Sequence, residues 1–171
     1  MHGLNKTIEA PDLDSFQLRP VMPPDKDGII ALIDTIFREY GDEIFLAGAD
    51  ADLLDIAAHY EPGLFMVLTD GDNVFGTVAL QYHEDDSTIL LLRRMYLHAD
   101  LRGTGTGVRL INWALGKAGD LGARRLELWT DTRFERAHFF YKKMGFADSG
   151  EVRAMDDGAM PYKEFMYYRS F

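Results

Sequence analysis

Two short segments carry residues whose types and spacing could do chemistry: a glycine-rich loop that could seat an anion, and a tyrosine that could give up a proton. In the first, Gly103, Gly105 and Gly107 alternate with Thr104 and Thr106 behind Arg102, directly before a helical pattern. Glycine is poor inside a helix and useful where backbone must come close to a ligand. A helix start has unpaired N–H groups and the positive end of the dipole, so such a loop can seat a phosphate. Arg102 can add charge, and the two threonines can add hydroxyl donors. A P-loop is excluded, because Val108 and Arg109 follow the last glycine where Lys and Ser/Thr are needed. A dinucleotide fingerprint is excluded as well, since Val108 holds its third glycine slot and the preceding strands form a meander. What remains is an Arg-x-x-Gly-x-Gly anion loop or a plain glycine turn. In the second segment, His138 to Phe146, Tyr141 stands among Phe140, Met144 and Phe146. A phenol with a pKa of about 10 keeps its proton at neutral pH and can give it to a leaving group; it can also simply pack.

The elements that position these segments can be read from periodicity. Phe16 to Met22 alternates and ends at Pro23-Pro24, a first strand. Ile29, Ile33, Ile36 and Phe37 recur at helical spacing after Asp25 and Asp27, and Gly41 ends that helix. A second helix is expected over Ala51 to Tyr60. Three strands follow as a meander: Leu64 to Asp70, Val74 to His83 with Gly76 at a bulge, and Thr88 to His98. Then come the glycine loop, a helix from Thr106 to about Gly119, a strand over Arg124 to Thr130 and a helix over Arg133 to Met144. Two closing strands complete the chain. The order is βααβββαβαββ, an α/β (α+β) domain on a mixed, mainly antiparallel sheet flanked by helices. Residues 1–15 read as a flexible N-terminal tail and residues 16–171 as one domain.

Composition narrows the function classes. The 171 residues suit one full-sized core, and their longest apolar run, Ile89 to Leu92, is far too short to span a bilayer. No cysteine is present, which removes disulfides, thiolate nucleophiles and cysteine metal sites together. A net charge of −10 argues against nucleic acid as a partner. A cytoplasmic location without membrane contact is the expectation, since the N-terminus has neither a basic start nor an apolar segment.

The stretch Leu92 to Leu115 closely resembles the acetyl-coenzyme A site of the GNAT superfamily of N-acetyltransferases. Asp131 to Phe146 resembles that family's later helix, with a tyrosine before a Gly-Phe pair. The element order agrees from Phe16 to Phe171. This resemblance implies an acyltransferase that moves an acetyl group from acetyl-CoA to a primary amine of a small molecule or peptide, by direct attack on the thioester. It implies acetyl-CoA as co-substrate and no metal. Met95, Tyr96 and Leu97 would hold the pantetheine arm, and Arg102, Gly103, Thr104, Gly105, Thr106 and Gly107 the diphosphate. His138 would border the cofactor. Tyr141 would be the general acid, and a backbone N–H such as that of Met95 the oxyanion donor. The strand Arg125 to Thr130 would splay from its neighbour and open a cleft for the thioester.

The chain departs from the family pattern twice. Leu91 stands where many relatives carry a glutamate that serves as base, and Phe134 where many carry an asparagine seven residues before the tyrosine. Candidates for the base are Glu127, Asp131, His83, His98 and His138, or bulk water. Leu91 also keeps open a CoA-binding module without catalysis, in a sensing or partner role. Asp42, Glu43, Asp50, Asp52 and Asp55 make the expected acceptor wall acidic, which points to a cationic amine or to ordinary caps and solvated faces. A homodimer stays open.

Overall fold

The computed structural model describes residues 12–171. Residues 1–11 of the expected tail lie outside the described residues, and Leu13–Ser15 forms a 3-10 turn. The regular elements are β1 (Gln17–Pro20), α1 (Lys26–Arg38), α2 (Ile56–His59), β2 (Phe65–Thr69), β3 (Val74–Tyr82), β4 (Ile89–Leu97), α3 (Thr106–Asp120), β5 (Arg125–Asp131), α4 (Glu135–Lys143), β6 (Ala147–Met155) and β7 (Tyr162–Ser170). Short 3-10 turns aside, this is the βααβββαβαββ order. No helix among the described residues is long and apolar enough to cross a membrane.

One expected helix is much shorter. Ala51–Leu54 is a 3-10 turn, and α2 keeps a single α-helical turn. Asp55 separates them: its backbone leaves the helical region, and its carboxylate accepts from the Ala58 N–H at 3.2 Å. An aspartate that can bond its own downstream amide starts a helix more readily than it continues one.

The seven strands form one sheet in the order β1-β2-β3-β4-β5-β7-β6. Only β4 and β5 run parallel, because the crossover through α3 joins them. Alternation then sorts side chains between two cores. Leu90, Leu92, Leu126, Leu128 and Tyr167 point to the face covered by α3 and α4. Phe65, Val67, Ala79 and Tyr96 point to the other face, under Ile29 and Ile33 of α1 and Tyr60 after α2.

Two irregularities prepare a site. The β4–β5 ladder has three rungs, Ile89↔Arg125, Leu90↔Leu126 and Leu91↔Glu127, and the strands part beyond the last. Meanwhile β5 stays paired with β7 over its whole length. The β3–β4 register also shifts between Thr77 and Ala79, so Arg94 and Met95 together oppose Val78. This bulge puts Arg94 at φ +51°, a conformation that costs a non-glycine residue about 1–2 kcal/mol.

Candidate active site

The glycine loop meets the parted strands. Gly103 and Gly105 have φ of +75° and +87°, which turns the chain sharply between the end of β4 and α3. The N–H groups of residues 103 to 108 donate to no other described residue; the first loop-to-helix bond is from Arg109 N–H to the Gly105 carbonyl. A β-carbon on either Gly103 or Gly105 would meet nothing within 4 Å. The loop is therefore a run of N–H groups without protein partners at the start of α3, with open space beside Gly103 and Gly105 and the helix dipole behind it. That arrangement fits a diphosphate.

The side chains around the loop behave differently from the expectation. Thr104 Oγ1 donates to the Leu101 carbonyl at 2.5 Å and lies 2.7 Å from Thr106 Oγ1. The two hydroxyls thus brace the loop. Arg102 forms a bidentate pair with Glu39 at the end of α1, at 2.8 and 3.1 Å. A cleft of about 350 Å³ lies beside this pair, lined by Glu39, Tyr40, Arg102, Arg133, Glu135 and Arg136. Phe134 packs on Tyr40 at a 50° tilt with ring centroids 4.6 Å apart and approaches Phe37 at 6.3 Å. The residue that replaces the family's asparagine therefore packs α4 against α1.

Tyr141 is 7% exposed, against Phe140, Phe146 and Tyr167. Its hydroxyl bonds to no described group. It is not sealed in either, because the one sealed, partnerless side-chain polar atom among the described residues is Arg125 Nε. Burial pushes the Tyr141 phenol well above the usual tyrosine range, and the neighbouring Tyr96 phenol adds to this. Burial likewise pushes Tyr96 up to about 12, against the pull of Arg94. Both phenols therefore stay protonated at neutral pH. His138 lies on the same helix, with Nε2 2.9 Å from the Asp131 carbonyl and its ring between Phe165 and Tyr167. The structure gives it a packing role that ties α4 to the end of β5.

The bulge in β4 turns Arg94 toward the loop after α1. Its guanidinium is 6% exposed and binds Asp50 at 2.7 Å, both oxygens of Asp52, and the Ala49 carbonyl. Tyr60 donates to Asp52 at 2.6 Å. Burial would raise the Asp52 carboxyl, but Arg94 and Tyr60 more than offset it and hold it below the usual carboxylate range. Thr77 Oγ1 donates to the Arg94 carbonyl at 2.6 Å, which fixes the bulge from β3. The same loop meets the β6–β7 turn, where Ala49 N–H donates to the Asp157 carbonyl. Gly48 is required at that contact, since a β-carbon there would lie 2.2 Å from Asp157 O.

These pairings favour the reading of the acidic residues as caps and paired faces. Asp50 and Asp52 neutralise Arg94, Asp42 pairs with Arg133 at 2.7 Å, Glu43 lies 3.7 Å from Arg38, and Asp55 caps α2. The base candidates sort as well. Asp131 is held by Arg133. His83 and His98 each accept a backbone N–H two residues on. Glu127 faces away from the α3–α4 core, since Leu126 and Leu128 fill it. No local pattern in the chain marks the Arg94 cluster or the Glu39–Arg102 pair, which join residues far apart.

Comparison with known proteins bears on the family and the fold. A sequence model of the acetyltransferase (GNAT) family matches residues 30–146, more than half of the chain. An aminoalkylphosphonate N-acetyltransferase of Salmonella typhimurium is 31% identical over 137 residues, covering 78% of this chain and 86% of that protein. Among solved structures, an acetyltransferase from Streptococcus agalactiae superposes with a TM-score of 0.77 at 20% identity, over 92% of this chain and 99% of its own. A GNAT-family acetyltransferase from Staphylococcus aureus Mu50 gives 0.75 at 20% identity, over 91% and 98%. At such identity these two structures speak to the fold alone.

Proposed function

We propose a reaction on a firm premise: this chain belongs to the acetyltransferase (GNAT) family and is an acyltransferase. The reaction is transfer of an acetyl group from acetyl-CoA to the primary amine of a small molecule. The observation that carries it is the run of unpartnered N–H groups at residues 103 to 108, which leads into the gap between β4 and β5.

Acetyl-CoA supplies the acetyl group as an activated thioester. The amides from Gly103 to Val108 hold its diphosphate, and Arg102 can turn to it from Glu39. Met95, Tyr96 and Leu97 offer backbone groups on the unpaired edge of β4, where the pantetheine arm extends the sheet. The Met95 N–H, placed by the bulge, donates to the carbonyl oxygen as negative charge builds there. Tyr141 gives its proton to the departing sulfur; its raised pKa keeps that proton in place until it is needed. The described residues contain no group of three or more His, Asp or Glu that could hold a metal, and none of these steps requires one.

The acceptor reading follows from Arg93. Its guanidinium, on the face of β4 opposite the α3–α4 core, bonds only Gln81 Oε1 at 3.2 Å and pairs with no carboxylate among the described residues. An amine that also carries an anion would pair with it, and the Salmonella relative is named for acceptors of that kind. The test is thiol release with acetyl-CoA and a panel of 2-aminoethylphosphonate, ethanolamine, spermidine and a glycyl peptide. Amine-dependent release, fastest with the phosphonate, is the expected result. Arg93→Gln should raise KM for the phosphonate and leave that for ethanolamine alone. Cofactor binding without release on any amine would refute the reaction, and equal rates for phosphonate and ethanolamine would refute the acceptor class.

A further inference from the structure

Resting on that reaction, we infer that Glu127 is the catalytic base that takes the proton from the acceptor ammonium. Glu127 occupies the last rung of the β4–β5 ladder, opposite Leu91, where the strands part. Neighbouring strands stand about 4.8 Å apart, so the Glu127 backbone lies at the apex of the gap. It faces the side of the sheet away from α3 and α4, the side to which Arg93 also points. The acceptor must approach from there, because Tyr141 and the α3–α4 core fill the other.

The carboxylate is enclosed yet available. Its side chain is 12% exposed. Arg125 is ion-paired with it, Nε 2.9 Å from one oxygen without an aligned hydrogen bond, and the same guanidinium lies over the Tyr168 ring. Glu127 accepts no hydrogen bond from any other described residue, and its oxygens are not sealed off. Free lone pairs near a cation, at the edge of accessible space, suit a carboxylate that must receive a proton and release it to solvent. The other carboxylates and imidazoles weighed for the role are bonded elsewhere. Other charged and titratable groups on this face include Arg125 on β5, Arg93 and Tyr96 on β4, the Arg94–Asp50–Asp52 cluster with Tyr60, and Tyr162, Glu164 and Tyr168 on β7. Glu164 is held by two nitrogens of Arg153 at 2.8 and 2.7 Å.

The step balances without another reactant. An N–H bond of the ammonium breaks and an O–H bond forms on Glu127. The nitrogen lone pair then makes the C–N bond, and the thioester C–S bond breaks with its electron pair on sulfur. Tyr141 protonates the sulfur and recovers a proton from the nitrogen, while Glu127 returns its own to water.

The test is the pH profile of Glu127→Gln with acetyl-CoA and the panel amine that wild type turns over fastest. At pH 7, kcat/KM should fall about a hundredfold, within the usual range for a positioned base. The loss should shrink toward pH 9, where solution supplies neutral amine, and CoA affinity should not change. Leu91→Glu in the Glu127→Gln background moves the carboxylate across the rung and should restore part of the rate at pH 7. A loss that is equal at every pH, or no loss, overturns the assignment while leaving the acetyl transfer intact. Should wild type release no thiol with any panel amine, the underlying reaction fails instead. A Glu127→Gln protein that does not fold passes the decision to Leu91→Glu in the wild-type background. There the added carboxylate should flatten the acid limb of the profile, and an unchanged limb overturns the assignment.

Discussion

Gly105→Asp separates an anion site from a mere turn. The substitution has two effects, and they act on different quantities. Gly105 sits at φ +87°, so any L side chain there costs the fold about 1–2 kcal/mol. Nothing lies within 4 Å of the added β-carbon, so no steric cost accompanies it. For a chain of this length, that strain lowers Tm by about 2–4 °C per kcal/mol. Because the strain is present with and without ligand, it largely cancels in a binding measurement. The carboxylate does not cancel. About 4 Å from a phosphate charge, at an effective dielectric of about 20, it opposes binding by about 4 kcal/mol. Salt screening trims this toward about 3 kcal/mol, still about a hundredfold in Kd. Gly105→Asn is the control: it tolerates the left-handed backbone, adds similar bulk and carries no charge. The assay is calorimetric titration of both variants with CoA, beside thermal unfolding. Kd should rise at least about a hundredfold for Asp and no more than about tenfold for Asn, with Tm lowered by a few degrees in both. Equal CoA affinity in the two variants would refute the argument that charge at this amide run governs binding.

Three further outcomes follow from the contacts. Glu39→Gln frees Arg102 from a part-exposed pair worth at most about 1 kcal/mol, so CoA affinity should rise about two- to fivefold; a weaker Kd by titration would contradict that competition. Tyr141→Phe should cut kcat about a hundredfold with Kd for CoA and Tm nearly unchanged, and unchanged turnover removes the phenol from the chemistry. Because its pKa is raised, Tyr141 remains an acid above pH 9, so wild-type kcat should show no alkaline fall there. Arg94→Met strands two buried carboxylates and should cost about 3–5 kcal/mol by chemical denaturation. Asp52 in wild type is held below its unfolded value, so its contribution is present at neutral pH and fades as pH falls below about 4. The variant should lack that acid-side loss, and a wild-type-like acid profile would show that Arg94 is not what charges Asp52.

The parts of the fold that follow from local periodicity were legible in the chain. Helical spacing of Ile29, Ile33 and Ile36 and alternation through Leu126 and Leu128 reflect a single buried face, which pattern alone reveals. The Ala51 to Tyr60 segment misled because its apolar spacing is helical, while Asp55 prefers to bond its own downstream amide. The turn at the glycine loop was legible because Gly103 and Gly105 take the left-handed backbone that glycine favours. The roles of its neighbours were not. Arg102 meets Glu39 across 63 positions and Arg94 meets Asp52 across 42, and no local pattern records such partners. The β4 bulge had no glycine to mark it: an arginine holds the left-handed backbone, secured by its ion pairs. Which way Glu127 faces became readable only once Leu126 and Leu128 were known to fill the α3–α4 side.

The most direct measurement compares titration of the wild-type protein with CoA and with pantetheine, which keeps the thiol arm and lacks the diphosphate. CoA should bind saturably, with an affinity that weakens with added salt, and pantetheine should bind at least a hundredfold more weakly. No uptake of CoA, or equal affinity for the two, would contradict it.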